Sequence, residues 1–272
     1  MSRKPESQPA INVALLGAAG RMGRTLMETA RSYPGICISA ALVPAASPLL
    51  GQDAGGLAYS AGLEQALADS DVLVDFSSPA ATSMAVDACV VARKPIITGV
   101  TGLDEVLKKK IAMAGQSIPV LAAPNMSLGA VLLLQLAHTA AAALDEEFAV
   151  EITDHHHRHK KDAPSGTALV LGEAVASGRG VLLKEHAVFE FPGQSEPTQP
   201  GNIRFTSIRR GDIVGEHTVS FTDGAESLEL THRAQSRAAF ARGALTAACW
   251  IVGKQAGLYS MADVLGMHVQ RN

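Results

Sequence analysis

Apolar residues follow two different patterns along the chain. In the first half, short and nearly continuous apolar runs alternate with helix-forming stretches. Ile11–Leu16 is such a run; glycines follow it, and Arg21–Arg31 then resumes with helix formers until Tyr33-Pro34-Gly35 stops them. The unit recurs with strands predicted at Ile36–Val43, Asp71–Phe76, Pro95–Val100 and Ile118–Pro124, and helices at Glu64–Asp69, Ala81–Arg93 and Leu103–Gly115. Apolar strands with no polar face, separated by helices, predict a parallel sheet covered on both sides with right-handed crossovers.

The pattern changes after a long apolar helix at Leu128–Leu144. In Phe148–Thr153 the residues alternate, with Phe148, Val150 and Ile152 on one face and Glu151 and Thr153 on the other, as in a half-buried strand. Further strands are expected at His186–Phe191, Asn202–Ile208, Ile213–Phe221 and Ser227–Ala234, with turns at Arg210-Gly211-Asp212 and Asp223-Gly224 and an exposed loop at Ser195–Asn202. This predicts a mixed or antiparallel sheet in an α+β unit. From Ser236 onward an alanine-rich helix is expected to return to the first unit. The fold class is therefore α/β, a Rossmann-type parallel-sheet domain plus an α+β domain. The expected division is residues 1–126 with 238–272 for dinucleotide binding, 1–10 being a loose tail, and 127–237 for substrate binding and oligomerisation.

Composition narrows this reading. The 272 residues are 47% apolar, enough for two cores, and the net charge of −3 gives no overall field for nucleic acid. Cys37, Cys89 and Cys249 are odd in number and lack metal-ligand spacing, so they read as buried hydrophobes in a reducing, cytoplasmic setting. The apolar stretch Leu128–Leu144 contains Gln135 and His138 and falls short of the ~20 residues a membrane span needs, so no membrane association is expected.

Chemistry gathers at two places. The turn after the first strand reads Gly17-Ala18-Ala19-Gly20-Arg21-Met22-Gly23. Glycines there allow close approach of a pyrophosphate, and the start of the next helix offers N–H donors and a positive dipole end. Ala41-Leu42-Val43-Pro44, where an acidic or basic side chain usually meets the adenosine ribose, offers neither. The second place is His155-His156-His157-Arg158-His159-Lys160-Lys161, holding four of the nine histidines, followed by Pro164-Ser165-Gly166-Thr167 at the start of a helix running to Gly178. Consecutive side chains diverge and nearby cations repel a metal, so no metal site is assigned. A solvated basic loop and an anion-binding catalytic site are the remaining readings. The hydroxyls of Ser165 and Thr167 and the amide of Gly166 favour the second, because a helix start of this kind receives carboxylates. Histidine and lysine beside it can exchange protons during chemistry.

The segment His156–Ala168 resembles the signature of the dihydrodipicolinate reductases, the nicotinamide-dependent enzymes of lysine and diaminopimelate biosynthesis. Val74–Pro79, Gly99–Gly102, Ala123–Gly129 and Arg209–Phe221 resemble further motifs of that family in the same order. The resemblance implies NADH or NADPH as cofactor, a homotetramer, and a cyclic dicarboxylate substrate, 4-hydroxy-tetrahydrodipicolinate, that loses water and receives a hydride. It places His156 and Lys160 at the proton-donor positions, and His157, Gly166 and Thr167 at the substrate carboxylates. Gly17–Met22 would hold the pyrophosphate. Gly99, Val100 and Thr101, with Ala123, Pro124, Asn125 and Met126, would surround the nicotinamide and its ribose. Val43-Pro44 departs from the acidic-then-basic pair common in the family, and Met126 stands at a commonly aromatic position. Two alternatives remain at this level: a nicotinamide-dependent reductase of another small dicarboxylate, and a non-catalytic sensor of dinucleotide or dicarboxylate.

Overall fold

The computed structural model describes residues 10–189 and 199–267. Residues 1–9 of the expected loose tail, the last two residues of the strand expected at His186–Phe191 and the first half of the loop expected at Ser195–Asn202 lie outside the described residues. In chain order the elements are β1 (Ile11–Leu16), α1 (Arg21–Ala30), β2 (Ile36–Leu42), β3 (Tyr59–Ser60), α2 (Leu63–Ala68), β4 (Val72–Asp75), α3 (Pro79–Ala92), β5 (Ile96–Thr98), α4 (Glu105–Ala114), β6 (Pro119–Ala122) and α5 (Leu128–Ala143). They continue as β7 (Ala149–His156), α6 (Gly166–Arg179), α7 (Leu183–His186), β8 (Ala187–Phe189), β9 (Ile203–Arg209), β10 (Gly215–Thr222), β11 (Ser227–Ala234), α8 (Ala238–Ile251), β12 (Gly257–Tyr259) and α9 (Met261–Val264). No helix among the described residues is long and apolar enough to cross a membrane.

The chain divides into two compact units, residues 1–128 with 238–272, and residues 129–237. The first holds a seven-stranded, all-parallel sheet in the order β12-β6-β5-β4-β1-β2-β3. The middle of β1, β4, β5 and β6 is fully buried, which is why these strands carry Val, Leu and Ile without alternation. Leu42, Leu67, Leu73, Val86, Ile96 and Val120 form the core on one side of the sheet. Burial of each such side chain contributes about 1.5–3 kcal/mol. Helix α8 packs on α1, and the Tyr33 hydroxyl lies 3.0 Å from that of Thr246. The chain then adds β12 beside β6.

The second unit holds a five-stranded mixed sheet, β11-β10-β7-β9-β8, in which β7, β9 and β8 are parallel and β10 and β11 antiparallel. Its buried face joins Val150 and Ile152 to Ile203, Phe205, Val219 and Phe221, and these pack with α5 and α6. Helix α6 is well delimited: the Ser165 hydroxyl accepts a hydrogen bond from the Ala168 amide at its start, and Gly180 ends it in a left-handed conformation at φ +70°.

Two sequence expectations need correction. Only Cys89 is buried, and its burial, with the nearby Asp75 charge, pushes its thiol up to about 12; Cys37 and Cys249 are exposed on elements whose other residues supply the core. The histidine run is not a loop throughout, because β7 extends beyond Thr153 to His156. The two-residue period therefore continues through the polar residues: Val150, Ile152, Asp154 and His156 share the buried face.

Candidate active site

In the first unit the chemistry lies at the carboxyl end of the parallel sheet. Gly17 has φ +82°, and a Cβ there would lie 2.7 Å from the Phe76 carbonyl oxygen, so only glycine fits. At Gly23 a Cβ would come within 2.3 Å of the Gly17 carbonyl oxygen, which lets α1 start hard against the turn. The Gly17 and Ala18 amides donate to the Leu42 carbonyl at 3.2 and 3.1 Å, and the Gly20 amide donates to that of Gly17 at 3.0 Å. Gly20 is the N-cap of α1, provides no side-chain acceptor, and no acidic residue stands in the first turn. The helix start thus keeps its positive end for an external anion, and these residues fit a dinucleotide pyrophosphate. Ala18 is fully buried, Ala19 and Met22 are half-buried, and Gly20 and Arg21 are exposed.

Asp75 at the end of β4 is fully buried and serves as the local organiser. It accepts hydrogen bonds from the hydroxyls of Ser77, Thr82 and Thr98, the latter two at 2.6 and 3.2 Å, and its carbonyl accepts from the Gly99 amide at 2.9 Å. A Cβ on Gly99 would lie 2.3 Å from the Phe76 ring, so Gly17 and Gly99 are both shaped by Phe76. The Val100 amide donates to the Thr98 hydroxyl at 3.3 Å, leaving Thr101 exposed. The Ala123 amide donates to the Thr98 carbonyl at 3.1 Å, Pro124 is exposed, and the Asn125 side-chain oxygen accepts from the Ser127 amide at 2.9 Å. Met126 is buried, and a Cβ on Gly243 would lie 1.7 Å from its carbonyl oxygen.

In the second unit a polar row crosses the sheet beside the apolar one. His232, His217, Asp154 and Ser207 are register partners on β11, β10, β7 and β9. Asp154 is only 1% exposed, and an isolated carboxylate at that depth would be very costly. Its Oδ1 lies 2.7 Å from His156 Nδ1 and 3.3 Å from His217 Nε2. Its Oδ2 accepts hydrogen bonds from Arg209 Nη2 and the Ser165 amide, both at 2.8 Å. Burial alone would raise the Asp154 carboxyl, but His156, His217, Arg209 and the Ser165 amide outweigh it and hold the group well below the usual carboxylate range. Arg209 also donates to the Asp154 and Asp162 carbonyls at 3.1 and 2.6 Å, fastening the loop after β7.

This carboxylate explains how the two sequence segments come together. The Ser165 amide binds it from the start of α6, and His156 binds it from the end of β7. The Ser165 hydroxyl caps α6 and stands 3.2 Å from His217 Nε2, so it is engaged within the protein. Gly166 is exposed, a Cβ there would meet nothing within 4 Å, and Thr167 is half-buried. His157 is half-buried; desolvation, then the charges of His156, His159, Lys160 and Arg237, lower its proton affinity. Lys160 Nζ lies 2.8 Å from Asp162 Oδ2, and its amide donates to the His157 carbonyl at 3.1 Å. Arg158, His159 and Lys161 are exposed, and the His159 ring centroid is 6.3 Å from that of His157.

Asp154, His156 and His217 are residue types that hold metals, and their ligand atoms lie within 4.8 Å of one another. Oδ2 already accepts from a guanidinium and an amide, and Oδ1 faces the two imidazoles at ion-pair distance, so the trio reads as an electrostatically paired cluster. Sequence reading gave no role to Asp154, His217 or Arg209. The signal for Asp154 was present in the alternation that places it with Val150 and Ile152, since a carboxylate on a buried face requires partners. Arg209, whose partner is 55 residues away, stands within the Arg209–Phe221 motif, which by itself assigns it no role.

Residues 11–126 match the family model "Dihydrodipicolinate reductase, N-terminus", and residues 129–265 match "Dihydrodipicolinate reductase, C-terminus". The chain is 46% identical over 264 residues to a 4-hydroxy-tetrahydrodipicolinate reductase of Thiobacillus denitrificans, covering 94% of this chain and 99% of that one. It is 43% identical to the enzyme of the same name from Nitrosospira multiformis, covering 94% and 98%. Among solved structures, a dipicolinate-bound dihydrodipicolinate reductase from Paenisporosarcina sp. TG-14 has the same fold, with a TM-score of 0.76, 22% identity and coverage of 93% and 98%. An amine dehydrogenase from Mycobacterium smegmatis is also similar in fold, with a TM-score of 0.59, 10% identity and coverage of 94% and 96%.

Proposed function

The chain belongs to the dihydrodipicolinate reductase family, and on that premise we propose that it reduces 4-hydroxy-tetrahydrodipicolinate to tetrahydrodipicolinate in lysine and diaminopimelate biosynthesis. The substrate loses one water and gains a hydride and a proton. The observation that supports the reading within the second unit is that one carboxylate, Asp154, holds both His156 and the Ser165 amide that precedes α6.

When bound, NADH or NADPH supplies the hydride. The glycine turn Gly17–Gly23 holds its pyrophosphate, while Gly99–Thr101 and Ala123–Met126 border its nicotinamide and ribose. His157, Gly166 and Thr167 hold the substrate carboxylates, with Ser165 fixing the helix start from which Gly166 and Thr167 project. As negative character develops on the reduced ring, Lys160 delivers the proton, and His156 supplies or relays it. Dipicolinate, which resembles the product in its paired carboxylates, is the stable ligand expected to occupy this site.

Both cofactors are expected to serve. Val43 is buried and Pro44 exposed after β2, so these two positions offer neither a carboxylate to repel a 2′-phosphate nor a guanidinium to attract one. Residues 1–126 with 238–272 carry the dinucleotide, and residues 127–237 carry the substrate and the contacts of a homotetramer, in which β11 lies at a sheet edge. The enzyme works in the cytoplasm, consistent with three free cysteines.

The test is to supply the condensation product of pyruvate and aspartate semialdehyde with NADH or NADPH and follow the reduced-nicotinamide absorbance. Stoichiometric loss with formation of tetrahydrodipicolinate is expected. Binding of dinucleotide without such loss would assign the chain to another dicarboxylate or to a sensor.

A further inference from the structure

Two histidines and an arginine from three strands converge on Asp154. His156 and His217 both approach Oδ1 of the buried carboxylate, but from different strands and by different ring nitrogens. His156 presents Nδ1 at 2.7 Å, the closer ion-pair contact, whereas His217 presents Nε2 at 3.3 Å and has the Ser165 hydroxyl at 3.2 Å as another partner. The other oxygen, Oδ2, is occupied by Arg209 and the Ser165 amide. The carboxylate cannot turn without breaking those two bonds. Gly215 leaves room for the His156 ring, since a Cβ there would lie 3.0 Å from Nε2.

We propose that Asp154 is a positioning residue that acts through His156: its anchored carboxylate, 2.7 Å from Nδ1, keeps a proton on that nitrogen and leaves Nε2 as the nitrogen that meets the substrate. An acceptor-only group facing Nδ1 requires Nδ1–H in both the neutral and the protonated ring. Arg209 and the α6 amide set the orientation of the acceptor, so β9 and α6 cooperate in choosing the tautomer on β7. This rests on the reductase reading for its kinetic consequence, and its tautomer is measurable without turnover.

Asp154→Asn separates positioning from scaffolding. The Asn carbonyl can keep the Arg209 and Ser165 bonds, while its NH2 faces Nδ1 and favours the opposite tautomer. Turnover is expected to fall about a hundredfold, a typical general acid–base contribution, with KM changed less than about threefold. In a His156→Ala background the same substitution is expected to change turnover less than about threefold, because the group through which Asp154 acts is gone. Equal losses in both backgrounds would overturn the proposal.

Nitrogen-15 spectra of the wild-type full chain, with histidine labelled and His156 assigned by the His156→Ala difference, decide the matter independently of how the Asn variant folds. A proton on Nδ1 of His156 is expected, and a neutral ring protonated only at Nε2 would overturn the proposal. If wild-type protein lacks reductase turnover while His156 carries the Nδ1 proton, the functional reading fails and the positioning geometry stands.

Discussion

The hydroxyl of Ser165 stands 3.2 Å from Nε2 of His217, linking the cap of α6 to the strand beside β7. The same hydroxyl accepts from the Ala168 amide, so one small side chain supports both the helix start and the polar row. Ser165→Ala is therefore expected to lower unfolding free energy by about 1–2 kcal/mol, combining a lost cap with a weakened buried contact. Chemical denaturation would check this; an unchanged midpoint would show that the cap contributes little.

Gly166, the next residue, provides the opposite contrast. Nothing lies within 4 Å of a Cβ placed there. Gly166→Ala should leave the melting temperature unchanged or slightly raised. If Gly166 faces a substrate carboxylate, KM should rise at least about tenfold because an added methyl displaces the ligand. An unchanged KM would remove Gly166 from the binding surface.

Much of this was legible in the sequence because local chemistry determined it. The elements of the first unit follow from apolar runs, and Ser227–Ala234 coincides with β11. The short strands Tyr59–Ser60 and Gly257–Tyr259 escaped notice because two or three residues carry no periodicity, and they form only by pairing with β2 and β6. The same limit applies to the site. His156 and Lys160 belong to a dense local run, whereas Arg209 and His217 join it only through the register of three strands.

Stability should depend on pH through Asp154 and His157. Asp154 titrates below its unfolded range, so its stabilisation is fully present above about pH 4 and is lost as pH falls through the folded-state value. His157 is also shifted down, so the unfolded chain takes up its proton first as pH drops through about 6.5, adding a further decline. Denaturation curves from neutral to acid pH should show falling stability, and Asp154→Asn should flatten the acid limb. Parallel curves for the two proteins would contradict the role given to Asp154.

Gly23→Ala tests the turn. The added methyl would sit 2.3 Å from the Gly17 oxygen and 2.6 Å from the Ala18 Cα, both backbone atoms that yield only if the turn moves. A loss of about 1–3 kcal/mol is expected, together with a marked weakening of NADH binding in a fluorescence titration. Wild-type binding would show that the turn does not hold the dinucleotide.

The neutral end of β2 leads to a quantitative expectation for cofactor choice. With neither charge at Val43-Pro44, kcat/KM for NADH and NADPH should differ by less than about tenfold, because neither a repulsive nor an attractive charge discriminates the 2′-phosphate. Parallel steady-state assays would check this; a preference far beyond that range would locate phosphate recognition elsewhere, with Arg21 the first residue to replace.

The most direct measurement compares wild type with Lys160→Ala on 4-hydroxy-tetrahydrodipicolinate, recording turnover alongside the dissociation constant for NADH. Turnover should fall by about a hundredfold or more while NADH affinity stays the same, since the ammonium serves the proton-transfer step and not dinucleotide binding. Wild-type turnover in the variant would contradict the assignment of proton delivery to this lysine.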